Sequence, residues 1–192
     1  TIADLASLTG DNRCLVQTGL RLLRAAPRPA LRAILSLAAV NPGNLNEEHL
    51  SFIIAPRLNA LGRLSDANGA VPFLLATDEA EVIPTAQELD KLNTRRKLLC
   101  DQVFEAALAQ IKRESSLQES DVLVLEHAQW PAGVIGIAAS RLVELFKRPV
   151  ILISSDPAGI GRASARSVEG INITHALAAH QDLLTGFGGH AM

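Results

Sequence analysis

From Asp78 to Ile111 apolar residues return every three or four positions, at Leu89, Leu92, Leu99, Val103, Phe104, Ala107, Leu108 and Ile111, and beyond Ser120 that rhythm is replaced by short solid apolar runs. A sustained 3.6-residue period commits the first stretch to a long amphipathic helix, the natural form of a connector. Asp121 to Leu125 reads instead as a buried strand. The intervening Glu114 to Ser120 is polar and aperiodic, which places a domain boundary there. The fold class expected is therefore α/β, with a helical connector region followed by a small α/β domain built on a mixed sheet.

Before the boundary, residues 1–113 read as mostly helical. Cys14, Leu15, Leu20, Leu22 and Leu23 recur near helical spacing, Pro27 to Pro29 closes that helix, and a second runs over Ala30 to Val40. Asn41 to Asn44 is a turn, and Asn46 caps a short helix expected to reach Ile54 and stop before Pro56. The long helix is expected to break or kink near Pro84. After the boundary, 121–125 is a strand, 133–147 a helix, 149–154 and 159–168 two further strands, and 172–180 a helix. An apolar strand, helix and strand in succession form a crossover unit.

The chemistry concentrates in the second part. In Gly161-Arg162-Ala163-Ser164-Ala165-Arg166-Ser167, strand alternation puts Arg162, Ser164 and Arg166 on one face with the two alanines opposite. Two guanidinium forks and a hydroxyl make a phosphate grip, each fork able to bind phosphate oxygens bidentately. On these residues alone, a solvated edge strand whose arginines discourage aggregation fits equally well. The glycine-flanked His190, in Gly186-Phe187-Gly188-Gly189-His190, reads as a side chain presented on a tight loop, though a surface histidine without a role is the commoner case. Trp130-Pro131-Ala132-Gly133 leads into an apolar helix with a further glycine at 136. Its amino end offers backbone N–H groups to an anion, and its glycines equally suit close helix packing on a sheet.

Composition limits what such a site can serve. A net charge of -2 excludes a protein that coats nucleic acid by bulk electrostatics, so phosphate recognition has to be local. Aromatic residues make up 3%, leaving almost no base-stacking platform. The 48% hydrophobic content excludes a disordered chain. Cys14 and Cys100 have neither metal-site spacing nor a histidine partner and fit a reducing, cytoplasmic setting. The apolar stretch from Gly133 to Ser155 is interrupted by Arg141, Glu144, Lys147 and Arg148, so no membrane span is expected. Without an initiating methionine, and stopping just after a glycine loop, the chain reads as a fragment.

Taken in order, the tryptophan-led Gly/Val/Ile helix, the Gly161–Ser167 strand and the Phe187-Gly188-Gly189-His190 loop resemble the DHH-associated domain of the RecJ family of single-strand-specific exonucleases, within the DHH phosphoesterase superfamily. Ala55-Pro56-Arg57-Leu58-Asn59-Ala60-Leu61-Gly62-Arg63 is similar to the family's proline-arginine-leucine-asparagine segment, and Thr1-Ile2-Ala3-Asp4 to the last metal-ligand motif of its catalytic domain. The resemblance covers essentially the whole chain. It implies that residues 1–113 are the end of a DHH phosphoesterase domain plus its connector, and that residues 121–192 are a DHH-associated domain truncated at its C-terminus. One departure is Pro131, which stands where many family members have histidine; His127 lies at a different spacing and does not inherit that role.

The resemblance further implies a metal-dependent 5′-to-3′ single-stranded DNA exonuclease of recombination and repair. Mg²⁺ or Mn²⁺ would be held mostly by residues upstream, with Asp4 the one matching ligand here. Arg57, Asn59, Arg63, Arg162, Ser164, Arg166, Ser167 and His190 would hold phosphates across a cleft from the metal domain. The fragment alone is then expected to be inactive. Single-stranded DNA is the implied partner, with helicase or single-strand-binding proteins beside it. The alternatives are a small-substrate phosphoesterase of the same superfamily, cleaving oligonucleotides or nucleotides, and a non-catalytic nucleic-acid-binding module.

Overall fold

In the computed structural model, the described residues are all but Thr1, Leu5, Pro157, Ala158 and Met192. The chain divides into two compact units, Thr1–Arg96 and Lys97–Met192, with the division inside one continuous helix.

The first unit is helical. After α1 (Gly10–Ala25), Pro29 opens α2 (Pro29–Leu37) at a position where its missing N–H leaves no intrahelical bond unmade. A short turn at Pro42–Asn44 leads to Asn46, whose side chain accepts the His49 N–H while His49 Nδ1 accepts the Asn46 N–H, closing a capping box. From there α3 (Glu47–His49), a π-turn (Leu50–Ile54) and α4 (Ala55–Leu64) follow without interruption. The helical path therefore does not stop before Pro56. The wider π-turn resets the register, so Pro56 falls in the first turn of α4, where a missing N–H is tolerated. A turn at Ala67–Gly69 and α5 (Ala70–Leu75) precede α6 (Glu79–Arg113). Ile34, Leu35, Leu45, Phe73, Val82 and Leu89 gather into the core of this unit.

Pro84 does not end α6. It is the sixth residue of the helix, so the one acceptor it leaves without its helical partner is the Ala80 carbonyl, on an exposed turn open to solvent.

In the second unit, a short α7 (Ser115–Glu119) occupies the stretch read as the boundary. Then come β1 (Leu123–Glu126), α8 (Ala132–Phe146), β2 (Val150–Ser155), β3 (Gly161–Arg166) and α9 (Ile173–Ala178). The sheet order is β1-β2-β3, with β1 parallel and β3 antiparallel to β2, which makes the sheet mixed and β3 an edge. Parallel pairing of β1 and β2 requires a crossover, and α8 supplies it. Register then sorts the faces: Leu123 and Leu125 lie beside Val150 and Leu152, and these beside Arg166 and Ser164. Helix α8 packs on that face through Val134, Ile135, Ala138 and Leu142, all essentially buried. Each fully buried aliphatic side chain of this layer contributes about 2 kcal/mol through removal of apolar surface from water. Lys147, at φ 55°, ends α8 in a left-handed turn. On the helix's other side, Arg141 lies over the Phe104 ring at 4.1 Å and bonds Asp101 at 2.6 Å, tying α8 to the carboxyl half of α6.

Candidate functional site

The face that carries hydrocarbon on β1 and β2 becomes polar on β3. Opposite Leu152 stands Ser164, and opposite Val150 stands Arg166. Both are half-buried, because α8 covers them as it covers the leucines. Arg166 Nη1 donates to Ser164 Oγ at 3.1 Å and to the Ala165 carbonyl at 2.7 Å. Both bonds come from Nη1; they fix the guanidinium plane and leave Nε and Nη2 without a bond of their own, Nη2 lying beside Gly136 of α8. Immobilising an arginine in this way before a ligand arrives lowers the ordering cost of binding. Arg162 shares the face but lies at the other end of the strand, opposite Ser154, and is exposed.

A pocket of about 730 Å³ wraps the free edge of β3, lined among others by Ala163, Ser164, Ala165, Arg166, Ile173, Leu184 and His190. Its volume falls within the roughly 300–1,000 Å³ span of ligand pockets. The terminal segment is held against α9: the Ile173 N–H donates to the Ala191 carbonyl at 3.0 Å, and Thr174 Oγ1 donates to the His190 carbonyl at 2.6 Å. Gly189, at φ +152°, gives the backbone a conformation that a side chain rarely adopts. The structure thus brings Ser164, Arg166 and His190 to the wall of one pocket. Ser167 lies just beyond, with its hydroxyl donating to the Ile171 carbonyl at 2.8 Å and closing the turn after the strand.

In the first unit, Arg57, Asn59 and Arg63 all lie on α4, but not on one face. Asn59 and Arg63 are four residues apart and share the exposed side, whereas Arg57 is turned away from them. Arg57 Nε and Nη2 bond Asp90 Oδ1 at 2.9 and 2.8 Å, and Nη1 donates to the Ile53 carbonyl at 2.9 Å. Its fork is occupied within the unit. Asp90, on α6, is a partner that sequence reading did not identify, since nothing local marks one carboxylate of a long helix over another. Asp4 is an exposed turn residue, and Thr1 of its motif lies outside the described residues. Among the described residues no group of three or more His, Cys, Asp or Glu side chains could hold a metal ion. One carboxylate does not make a dinuclear site.

At the start of α8, Pro131 adopts φ -68° and ψ 124° and serves as the N-cap residue. Trp130 is buried and its ring stacks on His127, with centroids 5.7 Å apart. His127 Nδ1 in turn accepts the Gln129 N–H at 3.1 Å. The residue most easily overlooked is Gly136, in the second turn of this helix. A Cβ built there would lie 2.8 Å from Ser164 Oγ and 2.9 Å from Arg166 Nη2.

Residues 119–192 match the model of the DHHA1 domain. Across its whole length the chain is 38% identical to the single-stranded-DNA-specific exonuclease RecJ of Bacillus subtilis, covering 24% of that protein. It is 39% identical to the one of Escherichia coli, again over the whole chain, covering 34% of that protein. Among solved structures, RecJ of Thermus thermophilus in complex with Mn²⁺ superposes with a TM-score of 0.86 at 36% identity, over all of this chain and 28% of that one. The chain spans about a quarter to a third of the length of these curated relatives. The sequence similarity and the shared fold extend from end to end, so the chain is RecJ-like over its whole length, and residues 119–192 within it match a DHHA1 domain.

Proposed function

We propose that the protein carrying this chain is a metal-dependent 5′-to-3′ exonuclease specific for single-stranded DNA, active in recombination and repair in the cytoplasm, and that this segment holds the strand's phosphates. The observation that carries the reading is Arg166 locked on Ser164, with two nitrogens unspent, on the wall of a pocket shared with His190. Two parallel N–H bonds from Nε and Nη2 match a pair of phosphate oxygens, and the imidazole of His190 contributes a further donor to the same pocket. The single-stranded-DNA specificity of the relatives supports the substrate. Mg²⁺ or Mn²⁺ fits the related RecJ structures, which are complexes with one or the other ion, and its ligands, Asp4 apart, would belong to the rest of the longer protein. Helicases and single-strand-binding proteins suit such an enzyme as partners.

The deciding measurement is single-strand affinity of the full-length protein, taken with a chelator present so that the strand is not cut. Removing a charge-assisted bidentate contact is expected to cost about 1.5–3 kcal/mol, or roughly 10- to 100-fold in affinity. Arg166→Ala is expected to show that loss; unchanged binding would overturn the reading.

A second reading, a phosphoesterase for short oligonucleotides, is favoured by one observation: Trp130 is 5% exposed and stacked on His127, so it offers no face to a base. A substrate length series separates the two. Turnover that rises with strand length supports the exonuclease, and a preference for di- and trinucleotides supports the alternative.

A further inference from the structure

We infer that Gly136 is a positioning residue for the phosphate site: its missing side chain is the notch in α8 that lets the Arg166 guanidinium and the Ser164 hydroxyl lie under the helix. The inference rests on the proposed role of Arg166 and goes beyond it, since Gly136 itself touches no substrate.

The geometry is specific. Arg166 and Ser164 occupy the face of β3 that continues a layer of leucine and valine, and α8 closes on that layer. A helix seated closely enough to bury Val134, Ile135 and Ala138 leaves no height for a long polar side chain unless the helix is cut away above it. Gly136 is that cut. Its hypothetical Cβ would meet Ser164 Oγ at 2.8 Å, Arg166 Nη2 at 2.9 Å and Arg166 Cζ at 3.6 Å. The three nearest atoms all belong to those two side chains, and none is backbone.

What must give way on adding a methyl group is therefore the end of a flexible side chain and a hydroxyl rotamer. The helix would keep its seat, and the exchange of glycine for alanine in a helix interior favours the helix. The guanidinium would leave the position set by its bonds to Ser164 Oγ and the Ala165 carbonyl. Fold and binding are thus expected to respond in opposite directions, which a packing glycine would not produce.

The test uses the full-length protein and a 5′-phosphorylated single strand, with chelator present, in four variants: Gly136→Ala, Arg166→Ala, the double variant, and Gly19→Ala. Gly19 lies in the interior of α1 with nothing within 4 Å of its hypothetical Cβ, so it reports the helix effect alone. Gly136→Ala is expected to melt at or above the wild-type temperature, as Gly19→Ala does, and to bind about 10-fold more weakly, while Gly19→Ala binds normally. The double variant is expected to bind no worse than Arg166→Ala, because a displaced group and a deleted one are the same loss. The slope of log affinity against log salt should fall by about 0.7 in Gly136→Ala, as for one lost phosphate contact, although no charge has been removed. Full binding by Gly136→Ala, additive losses in the double variant, or an unfolded Gly136→Ala protein would each overturn the inference. Full binding by Arg166→Ala would instead overturn the proposed function, and with it any reason for the notch.

Discussion

Arginines of similar sequence prominence have been put to different uses in this chain. Arg57 spends its fork on Asp90 and the Ile53 carbonyl, with its side chain 13% exposed, whereas Arg166 spends one nitrogen and keeps the rest. Taking away Asp90 leaves a half-buried guanidinium without its counter-ion, at a cost of about 1–3 kcal/mol. Asp90→Ala is accordingly expected to lower the unfolding free energy by that amount in a denaturant titration, and Arg166→Ala, which strands no buried counter-ion, to lower it by less. Equal effects of the two substitutions on stability would contradict this division of labour. Nothing in the sequence separates these arginines: each sits in a motif with a small or polar neighbour, and what distinguishes them is a carboxylate more than thirty residues away, brought in by folding. Gly136 was visible as a glycine near a helix start, but the two side chains that explain it come from β3.

At the scale of elements, the second unit was the more legible half. Strand alternation in Gly161–Arg166 sorts Arg162, Ser164 and Arg166 from Ala163 and Ala165 as a period of two requires, and the β1–α8–β2 crossover follows from one apolar run, one helix and another run. In the helical half, Pro56 was read as a stop, yet it lies in the first turn of α4, and Pro84, read as a break or kink, does not break α6. A π-turn has no signature in composition, so the register shift that accommodates Pro56 was not readable in advance. Asn46, by contrast, was marked by its type and by the acidic residues after it, and it closes the capping box at the head of the helical stretch that runs to Leu64. Asn46→Ala is expected to cost about 1 kcal/mol of stability, measured by urea denaturation, with Asn46→Asp retaining most of it. A cost below about 0.3 kcal/mol would mean the box is dispensable.

On the scale of the whole molecule, the proposed function assigns phosphate holding to this chain and hydrolysis to regions of the RecJ relatives that it does not span. With a net charge of -2 and no metal-capable cluster among the described residues, these 192 residues expressed alone are expected to bind short single strands weakly and to degrade none with either Mg²⁺ or Mn²⁺. The check is a gel assay of a labelled strand over hours. Robust metal-dependent degradation by this piece would show that the catalytic groups had been misassigned to other regions.

The seating of α8 over β3 also constrains how the sequence can drift. Positions 136, 164 and 166 share one small volume, so a lineage that enlarges the first must shrink one of the others in the same step or soon after. On the proposed function, a descendant relieved of strand cleavage would be free to release that trio, and alanine or serine at 136 beside a shortened 166 would be the fossil of the lost trade.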